Sequence, residues 1–442
     1  MKKIIIVLVL VVLVVLVATP FVSGVIMERT VYRSVEDFNT MFADYPLGYS
    51  YEIDSYSRGY SNTDFELKIN TGAMKSIYSI DSIIITAHAR HGYSGVVSTM
   101  SLEENVWFNE FINNKLQGEN PFHIQTCFSF LGEIESTVAW DSFSIMVEEE
   151  TLDVKGGEII TSMNRELDSF SSSGCFEGMA IGDTLSIGEM SIASSVEKIT
   201  AIIWDGEMAF EVKDIKMSDK DGEVKLKDLA VVYGVETEKD ADTMSYSTFL
   251  TLDSLQANNQ NFSDGSIRFS VSGINMEVYE EFMNTYLRVY SQMMSKISID
   301  EMVNQQNEEV VKKEMKQVQL QMMGVYEKFL KKGLEIRVSD LHFKHTTGEA
   351  GGEVTLRLLK DMTFMQFAPV LFQPRALLDI FHLESDVRFP AQLAGENPKL
   401  LTPLFPGMQT GVFVKNEDML SHSAETKDGA LFLNGKEINL GG

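Results

Sequence analysis

Residues 210–217 read Phe-Glu-Val-Lys-Asp-Ile-Lys-Met, and residues 224–231 read Val-Lys-Leu-Lys-Asp-Leu-Ala-Val. In both stretches apolar residues alternate with other residues, one extra residue interrupts the alternation at an aspartate, and the alternation then resumes. Strands with one buried and one wet face alternate with a period of two. A β-bulge inserts one extra residue into such a strand, so the two stretches predict bulged antiparallel strands.

This eight-residue pattern recurs from residue 185 onward. Without a bulge, the second half of each strand would turn its apolar side chains to water, and small or acidic residues suit the irregular backbone at the break. We therefore predict a row of curved, bulged antiparallel strands. The pattern begins at Leu185, Phe210, Val224, Leu250, Phe269 and Ile336, and the predicted break residues are Glu189, Asp214, Asp228, Ser254, Gly273 and Asp340.

A helical hairpin interrupts this series between residues 276 and 333. Apolar residues from Tyr279 to Ile297 recur at helical spacing. Asp300 is a predicted N-cap of a second amphipathic stretch, and Gly333 closes that stretch. The pattern therefore predicts two helices inserted into a β protein.

Shorter signals extend the β prediction to both sides of the hairpin. Phe65–Ile69 and Phe143–Val147 alternate with a period of two. The glycine-rich run Gly348–Gly352 predicts the turn of a further β-hairpin, and Asn434-Gly435 is typical of a two-residue hairpin turn. The predicted fold class is mainly β with an inserted helical hairpin (α+β), in which curved, bulged antiparallel sheets follow one N-terminal transmembrane helix.

The first 27 residues predict a membrane anchor. Met1-Lys2-Lys3 precedes an apolar run from Ile4 to Val17, and no charged residue follows until Glu28. About 20 apolar residues cross a bilayer as a helix, and the two lysines should stay in the cytoplasm. A cleavable signal peptide is the alternative, because Val22-Ser23-Gly24 offers small residues. The length of the apolar run favours a retained anchor.

These signals divide the chain into five segments. Residues 29–45 predict a helix that leaves the membrane and ends at Pro46 and Gly48. The predicted segments are the anchor 1–27, a juxtamembrane helix 28–48, a first β-rich part 49–275, the helical hairpin 276–333 and a second β-rich part 334–442.

Composition excludes several classes of protein. The 442 residues include 37 Lys and Arg against 64 Asp and Glu, a net charge of −27, and hydrophobic residues make up 44%. The apolar content suffices for a folded core. The negative charge argues against a nucleic-acid partner, which requires a basic face, and against electrostatic docking on anionic lipid.

Two cysteines exclude a multi-cysteine zinc site. Export from the cytoplasm makes a Cys127–Cys175 disulfide chemically feasible. Two separate buried thiols are the alternative, and the sequence leaves both open.

Catalytic motifs are absent from the sequence. It contains no dinucleotide fingerprint, Walker loop or H-E-x-x-H pattern. Gly92-Tyr93-Ser94-Gly95 differs from a nucleophile elbow by one residue. His88 and His91 are three apart on a predicted strand and should face opposite sides, and Glu133 and Glu135 share a wet strand face. We therefore predict no catalytic residue, no metal, no cofactor and no enzymatic activity.

The chain is rich in methionine and in apolar strand residues, for which two roles are open. An apolar face on a concave, bulged sheet could hold the acyl chain of a lipid-like ligand. The same face could instead be covered by the chain's own helices.

Several short motifs in order resemble the YdgA-like bacterial envelope family (domain of unknown function 945). They are Tyr56-Ser-Arg58-Gly59-Tyr60, His91-Gly92, Pro121-Phe122, Gly156-Gly157-Glu158 and a final run from Asp428 to Lys436 that contains Asn434-Gly435. The resemblance implies a single-pass protein of the bacterial inner membrane with its N-terminus in the cytoplasm and its main body in the periplasm. It also implies possible self-association as a homodimer, and it brings no catalytic residues.

The bulged-strand pattern further resembles AsmA-type envelope proteins with lipid-holding grooves, although fold alone does not give function. The predicted function is therefore a non-enzymatic envelope binding or scaffold protein. A lipid or hydrophobic-ligand groove protein is the alternative, and an unrecognised hydrolase is a weaker one.

Overall fold

The computed structural model describes most of the chain. The side chains of residues 2–17, 41, 42, 219 and 290–294 are outside this description. The described ranges are 2–42, 49–72, 81–102, 108–109, 111–147, 150–219, 222–257, 260–294, 316, 322–363, 365–366, 374–396 and 411–438.

Strands dominate these ranges. In chain order they are β1 (Ser50–Arg58), β2 (Asn62–Asn70), β3 (Ser82–His91), β4 (Gly95–Leu102), β5 (Phe122–Ser129), β6 (Ile134–Trp140), β7 (Phe143–Val147), β8 (Glu150–Val154), β9 (Gly157–Met163), β10 (Ser169–Phe176), β11 (Met179–Ile181), β12 (Leu185–Ile187), β13 (Met190–Lys198), β14 (Trp204–Asp219), β15 (Gly222–Glu238), β16 (Thr243–Ala257), β17 (Gln260–Asn275), β18 (Glu335–His345), β19 (Gly348–Leu358), β20 (Phe381–Pro390), β21 (Val414–Asn416), β22 (Met419–Lys427), β23 (Ala430–Leu433) and β24 (Lys436–Ile438).

Helices are fewer in the described part of the chain. The α-helices are α1 (Lys2–Phe42), α2 (Met276–Met294), α3 (Pro374–Leu378) and α4 (Ala391–Glu396). A π-helix covers Phe111–Lys115, and a 3-10 turn covers Lys239–Ala241.

The chain divides into two compact units. The first comprises Met1–Glu177, Ala193–Trp204 and Met283–Met322, and the second comprises Gly178–Ile192, Asp205–Phe282 and Met323–Gly442. In the first unit β1, β2, β3, β4, β5, β6, β9 and β10 are neighbours in that order, each pair antiparallel. The predicted strands Phe65–Ile69 and Phe143–Val147 lie in β2 and β7.

In the second unit the antiparallel order is β12, β14, β15, β16, β17, β18, β19, β20, β22, β23 and β24. Strand β11 pairs with β12, and β21 pairs with β22. The predicted mainly antiparallel β fold is therefore confirmed.

The predicted breaks fall on irregular backbone in three strands. Asp228, Gly273 and Asp340 have positive φ angles of 46°, 73° and 53°. The register shifts between Met244 and Tyr246 opposite Gly273, and between Val338 and Leu341 around Asp340. A residue with positive φ re-aims the strand at a bulge. These three predictions are confirmed.

The other three predicted breaks need correction. The stretch from Leu185 is two strands, because β12 ends at Ile187 and β13 begins at Met190. On β14 and β16 the residues that drop out of the pairing are Lys213 and Asp253, one position before the predicted Asp214 and Ser254. The spacing of apolar residues in the sequence shows that one of the two residues between them is extra. Pairing with the neighbouring strand decides which of the two is skipped.

Four skipped residues lie at one level of the second sheet. Lys213, Asp228, Asp253 and Asp264 are skipped on β14, β15, β16 and β17, and the pairing resumes in the same register on both sides. We call this row the crease. Each of these strands skips one residue at the same level, so its apolar residues change there between even-numbered and odd-numbered positions. Because the change occurs at the same level in all four strands, their apolar side chains stay on one side of the sheet.

The predicted glycine turn is wrong. Gly348–Gly352 lies inside β19, and residues 346 and 347 form the turn. A Cβ on Gly352 would collide with the backbone of Asp386 and Val387 on the neighbouring strand. The glycines are therefore required by close strand approach rather than by a turn.

The predicted helical hairpin is described only in part. Helix α2 covers its first helix, and the side chain of Asn275 accepts a hydrogen bond from the backbone N–H of Val278 at 3.0 Å, as an N-cap does. Residues 322–329 are also helical. Residues 295–315, with the predicted N-cap Asp300, lie outside the described residues.

The predicted anchor and the juxtamembrane helix form one continuous helix, α1. The anchor falls largely on residues 1–17, whose side chains are outside the described part. Among the residues that the structure describes, no helix is both long and apolar enough to cross a bilayer.

Candidate functional site

Tyr56, Arg58 and His91, three of the family-motif residues, lie where α1 packs on the first sheet. The Arg58 side chain contacts a carboxylate oxygen of Glu28 at 2.7 Å and lies 4.8 Å from the ring centre of Phe21, both on α1. The Tyr56 ring lies 5.5 Å from that of Tyr32 on α1. These contacts hold α1 antiparallel to β1.

Burial at this contact affects Tyr56. Desolvation raises the pKa of its hydroxyl to about 12, and the negative charge of Glu28 adds to the effect. The ring also stacks on Phe65 at 5.7 Å. Met27 and Val31 of α1 are buried in the same core.

His91 is the buried centre of this contact. Nδ1 lies 3.2 Å from the backbone carbonyl oxygen of Tyr60, which can only accept, and so Nδ1 carries the proton. Nε2 then accepts from the Thr63 hydroxyl at 2.8 Å. Gly24 of α1 packs against the imidazole so closely that a Cβ there would collide with it. Both ring nitrogens of His91 are therefore engaged in hydrogen bonds within the first sheet.

The motif glycines Gly59 and Gly92 close the turns beside this contact. Their backbone N–H groups donate to the carbonyls of Asn62 and Gly95 at 2.8 and 2.7 Å. Tyr56, Arg58 and His91 thus contact α1, and Gly59 and Gly92 lie in the turns next to them.

The remaining motif residues lie at the ends of strands. Pro121 is buried, and its carbonyl accepts from the N–H of Asp141, while the ring of Phe122 meets that of Phe143 edge-on at 6.1 Å. Asn434 and Gly435, with φ of 49° and 75°, form the predicted two-residue turn between β23 and β24.

Cys127 and Cys175 are free thiols in the structure. Cys127 lies on β5 and Cys175 on β10, three strand positions away in the first sheet. At about 4.8 Å per strand they are too far apart for a disulfide. The disulfide alternative is therefore wrong. The other alternative needs correction too, because Cys127 is only half-buried and Cys175 is exposed.

The other polar candidates do not converge on a reactive centre. His88 is exposed and pairs with Asp64 at 2.6 Å, on the opposite face from the buried His91. Glu133 and Glu135 line a shallow concavity of about 540 Å³ with Ser94 and Cys127. No group of three metal-ligating side chains occurs within the described ranges.

A hydroxyl–imidazole pair in the second unit was not found from the sequence. The His422 Nδ1–H donates to the carbonyl of Val412 at 3.0 Å, and Nε2 accepts from the Ser385 hydroxyl at 2.7 Å. Ser385 is buried. The pair links β20 to β22, and since 37 residues separate its members, only the strand register could have revealed it.

The candidate functional site is an apolar face on strands β14 to β18 of the second unit. Six large apolar side chains on this face are each 36% to 44% exposed. They are Met208, Phe210, Tyr233, Ile267, Phe269 and Ile336.

Strand register places these side chains on one side of the sheet. Directly opposed residues in antiparallel strands share a face. One cross-strand row is Phe210, Val231, Leu250 and Ile267, and the next is Met208, Tyr233, Thr248, Phe269 and Val338.

Beyond the crease the apolar positions continue. Met217 and Val224 are paired across β14 and β15 and are 53% and 37% exposed. Ile215 and Leu226 form the pair nearest the crease. We call the whole surface, from Met208 to Ile336 and on to Met217, the apolar face.

The opposite side of these strands carries the charges. Arg268 contacts Asp340 at 2.9 Å and covers the ring of Phe249 at 4.1 Å, and Arg337 contacts Glu353 at 3.0 Å. Charged groups therefore gather on one side of the sheet, and the other side has apolar groups partly open to solvent.

Comparison with known proteins adds a family. The family described as "Bacterial protein of unknown function (DUF945)" matches residues 1–441. Protein YdgA of Escherichia coli (strain K12) is 21% identical over 377 residues, which cover 77% of this chain and 71% of YdgA. No solved structure matches the chain.

Proposed function

The chain belongs to the DUF945 family of bacterial proteins, whose function is unknown, and from this premise we propose that it is a membrane-anchored, non-enzymatic envelope protein that binds a lipid-like ligand on its apolar face. The observation that carries this proposal is the set of six large apolar side chains, 36% to 44% exposed, that strands β14, β15, β17 and β18 carry on one side of the sheet. Contiguous exposed apolar surface of this kind marks an interaction site.

The chemistry of the apolar face favours an acyl chain. In the rows that pass through Phe210 and Met208, the hydroxyls of Tyr233 and Thr248 are the only polar side-chain groups on this side. A protein partner brings backbone and side-chain polar groups that need hydrogen bonds when buried. An acyl chain has no such requirement, and each methylene that it buries contributes about 0.8 kcal/mol.

The N-terminal sequence supports the location that we propose. The apolar run from Ile4 to Val17 follows two lysines and lies within an uncharged stretch that extends to Met27. A stretch of this length suits a single membrane span with the lysines in the cytoplasm. We place the two β units on the periplasmic side of the inner membrane.

A fluorescent fatty acid tests the ligand class, because it offers an acyl chain without a phosphate. We expect the full-length chain in mild detergent to bind it and the Phe269→Asp variant to lose binding. Ser270→Asp adds the same charge on the opposite side of the same strand and should bind normally. Far-UV circular dichroism checks that both variants are folded.

Two outcomes would overturn the ligand proposal. One is equal binding by both variants. The other is absence of binding together with a discrete homodimer on sizing that Phe269→Asp dissociates, which would show that a second copy covers the apolar face.

A further inference from the structure

The turns of the first sheet gather at one end of the first unit. Arg58 pairs with Thr63, His91 with Val96, Phe128 with Ile134, and Met163 with Phe170, so each of these hairpins reverses at the same level. We call this level the turn end. Because Phe21 contacts Arg58 and Gly24 contacts His91, α1 reaches the turn end with its residues 21–24.

Large apolar side chains are exposed at the turn end. Leu131 in the β5–β6 turn is 81% exposed, Tyr93 in the β3–β4 turn 64% and Tyr60 in the β1–β2 turn 52%. Phe21 and Val22 of α1 are also exposed. Tyrosines at the level where an apolar helix begins are typical of a membrane interface.

Beside these side chains lies a cavity of about 150 Å³ between α1 and the β5–β6 turn. Arg29 and Arg33 of α1 and Arg165 of the β9–β10 turn line it, together with Thr30 and Ser34, and its lining contains no carboxylate. Arg33 contacts Asp37 at 3.3 Å. Three arginine side chains therefore line one small cavity that has no carboxylate in its lining, and arginine binds phosphate with two parallel hydrogen bonds.

The geometry of α1 favours a path for the Arg29 side chain toward the turn end. Side chains on an α-helix tilt toward its N-terminus, which here is the direction of the apolar run. Arg29 follows Phe21 by eight residues, about 12 Å along the helix, and the headgroup layer extends roughly 5–8 Å beyond the hydrocarbon core. A long arginine side chain spans the remaining distance.

We propose that this arginine cavity binds the phosphate of a phospholipid headgroup while Leu131, Tyr93 and Tyr60 rest in the same membrane interface. This inference rests on the membrane anchor of the proposed function. The net charge of −27 opposes general attraction to anionic lipid, so the contact is local. The apolar turn tips beside the cavity favour a lipid over free phosphate.

Native mass spectrometry of the full-length chain in mild detergent tests the proposal. Phosphatidylglycerol and phosphatidylcholine with identical acyl chains are titrated: both carry the phosphate, but the choline cation of phosphatidylcholine is repelled by the arginines. We expect preferential retention of phosphatidylglycerol, and about tenfold or more weaker retention by Arg29→Gln/Arg165→Gln. The control Arg90→Gln/Arg375→Gln removes the same charge at exposed positions that do not line the cavity and should retain the preference.

Three results would overturn the inference: equal loss in both double variants, no headgroup preference in the unaltered chain, or full competition by inorganic phosphate at equal concentration. Two other measurements would show that the proposed function has failed. Release of the chain from membranes by alkaline carbonate would show that the chain has no membrane anchor. Loss of fatty-acid binding would contradict only the ligand proposed for the apolar face. Circular dichroism confirms that the arginine variants are folded.

Discussion

At Asp228 the backbone has a φ of 46°, a left-handed conformation that costs most side chains about 1–2 kcal/mol. Asp264 on β17 has the same geometry with a φ of 50°. Lys344 contacts the Asp264 carboxylate at 2.8 Å and lowers the pKa of that carboxyl by hydrogen bonding. Aspartate is one of the few non-glycine residues that adopt the left-handed conformation readily, which accounts for Asp228 and Asp264 in the crease.

Substitution and deletion at Asp228 should therefore differ sharply. Asp228→Ala should lower stability by about 1 kcal/mol, and Asp228→Gly should be neutral or slightly stabilising, because glycine adopts positive φ without strain. Deletion of Asp228 would turn Val224 and Leu226 to the other side, at about 1.5–3 kcal/mol for each side chain. Thermal unfolding followed by circular dichroism measures all three. Similar unfolding midpoints for the deletion and for Asp228→Ala would show that the extra residue in the crease does not keep the apolar side chains on one side of the sheet.

The pKa of Tyr56 predicts an alkaline sensitivity. An unfolded chain loses the tyrosine proton near pH 10, whereas the folded protein holds it until about pH 12. The stability from this group is therefore present below pH 10 and is lost as pH rises through 12. Thermal midpoints between pH 9 and 11.5 should fall less steeply in Tyr56→Phe than in the unaltered chain. Parallel curves would show that ionisation of Tyr56 does not contribute to the loss of stability at alkaline pH.

At the scale of elements, the contact between α1 and β1 depends on Arg58. Its ion pair with Glu28 is partly shielded, with exposed fractions of 26% and 34%, and its ring contact with Phe21 adds to it. Arg58→Gln should destabilise the docking of α1 by about 1–2 kcal/mol. Hydrogen exchange of the backbone amides in residues 21–28 should accelerate accordingly.

Lys68→Gln is the matched control for that experiment. Lys68 pairs with Glu52 across β1 and β2 at 3.9 Å, but the pair is more exposed and touches no residue of α1 in the described contacts. Its loss should change stability by at most about 0.5 kcal/mol. Equal acceleration in both variants would mean that α1 loosens for a reason other than its contact with Arg58.

The sequence predicted the elements better than their relations. The alternation around Asp228 and Asp340 located strands and bulges, because apolar spacing directly records which side of a strand is buried. It could not show that Asp264 belongs to the same crease, since that depends on pairing between β16 and β17. For the same reason, the glycines at 348–352 were assigned to a turn although a neighbouring strand requires them.

At the scale of the whole molecule, each unit carries one of the proposed contacts. The first unit holds α1 and the arginine cavity, and the second carries the apolar face. The sequence identified the apolar residues of that face and left open whether they were covered. The exposure of a side chain depends on what packs against it, and the alternation of apolar and polar residues does not show this. The arginines at 29, 33 and 165 are likewise brought together only by the fold.

The integrity of the N-terminus is the last prediction, and it concerns the entire chain. Ser23 is 1% exposed and Met27 is fully buried, so the small residues at 22–24 lie within a helix that packs on the sheet. Cleavage there would remove the contacts that Phe21 and Gly24 of α1 make with Arg58 and His91. Intact-mass measurement of the membrane fraction should therefore give the full 49.6 kDa chain. A species that begins near residue 25 would show that the anchor is cleaved, and both membrane proposals would fail with it.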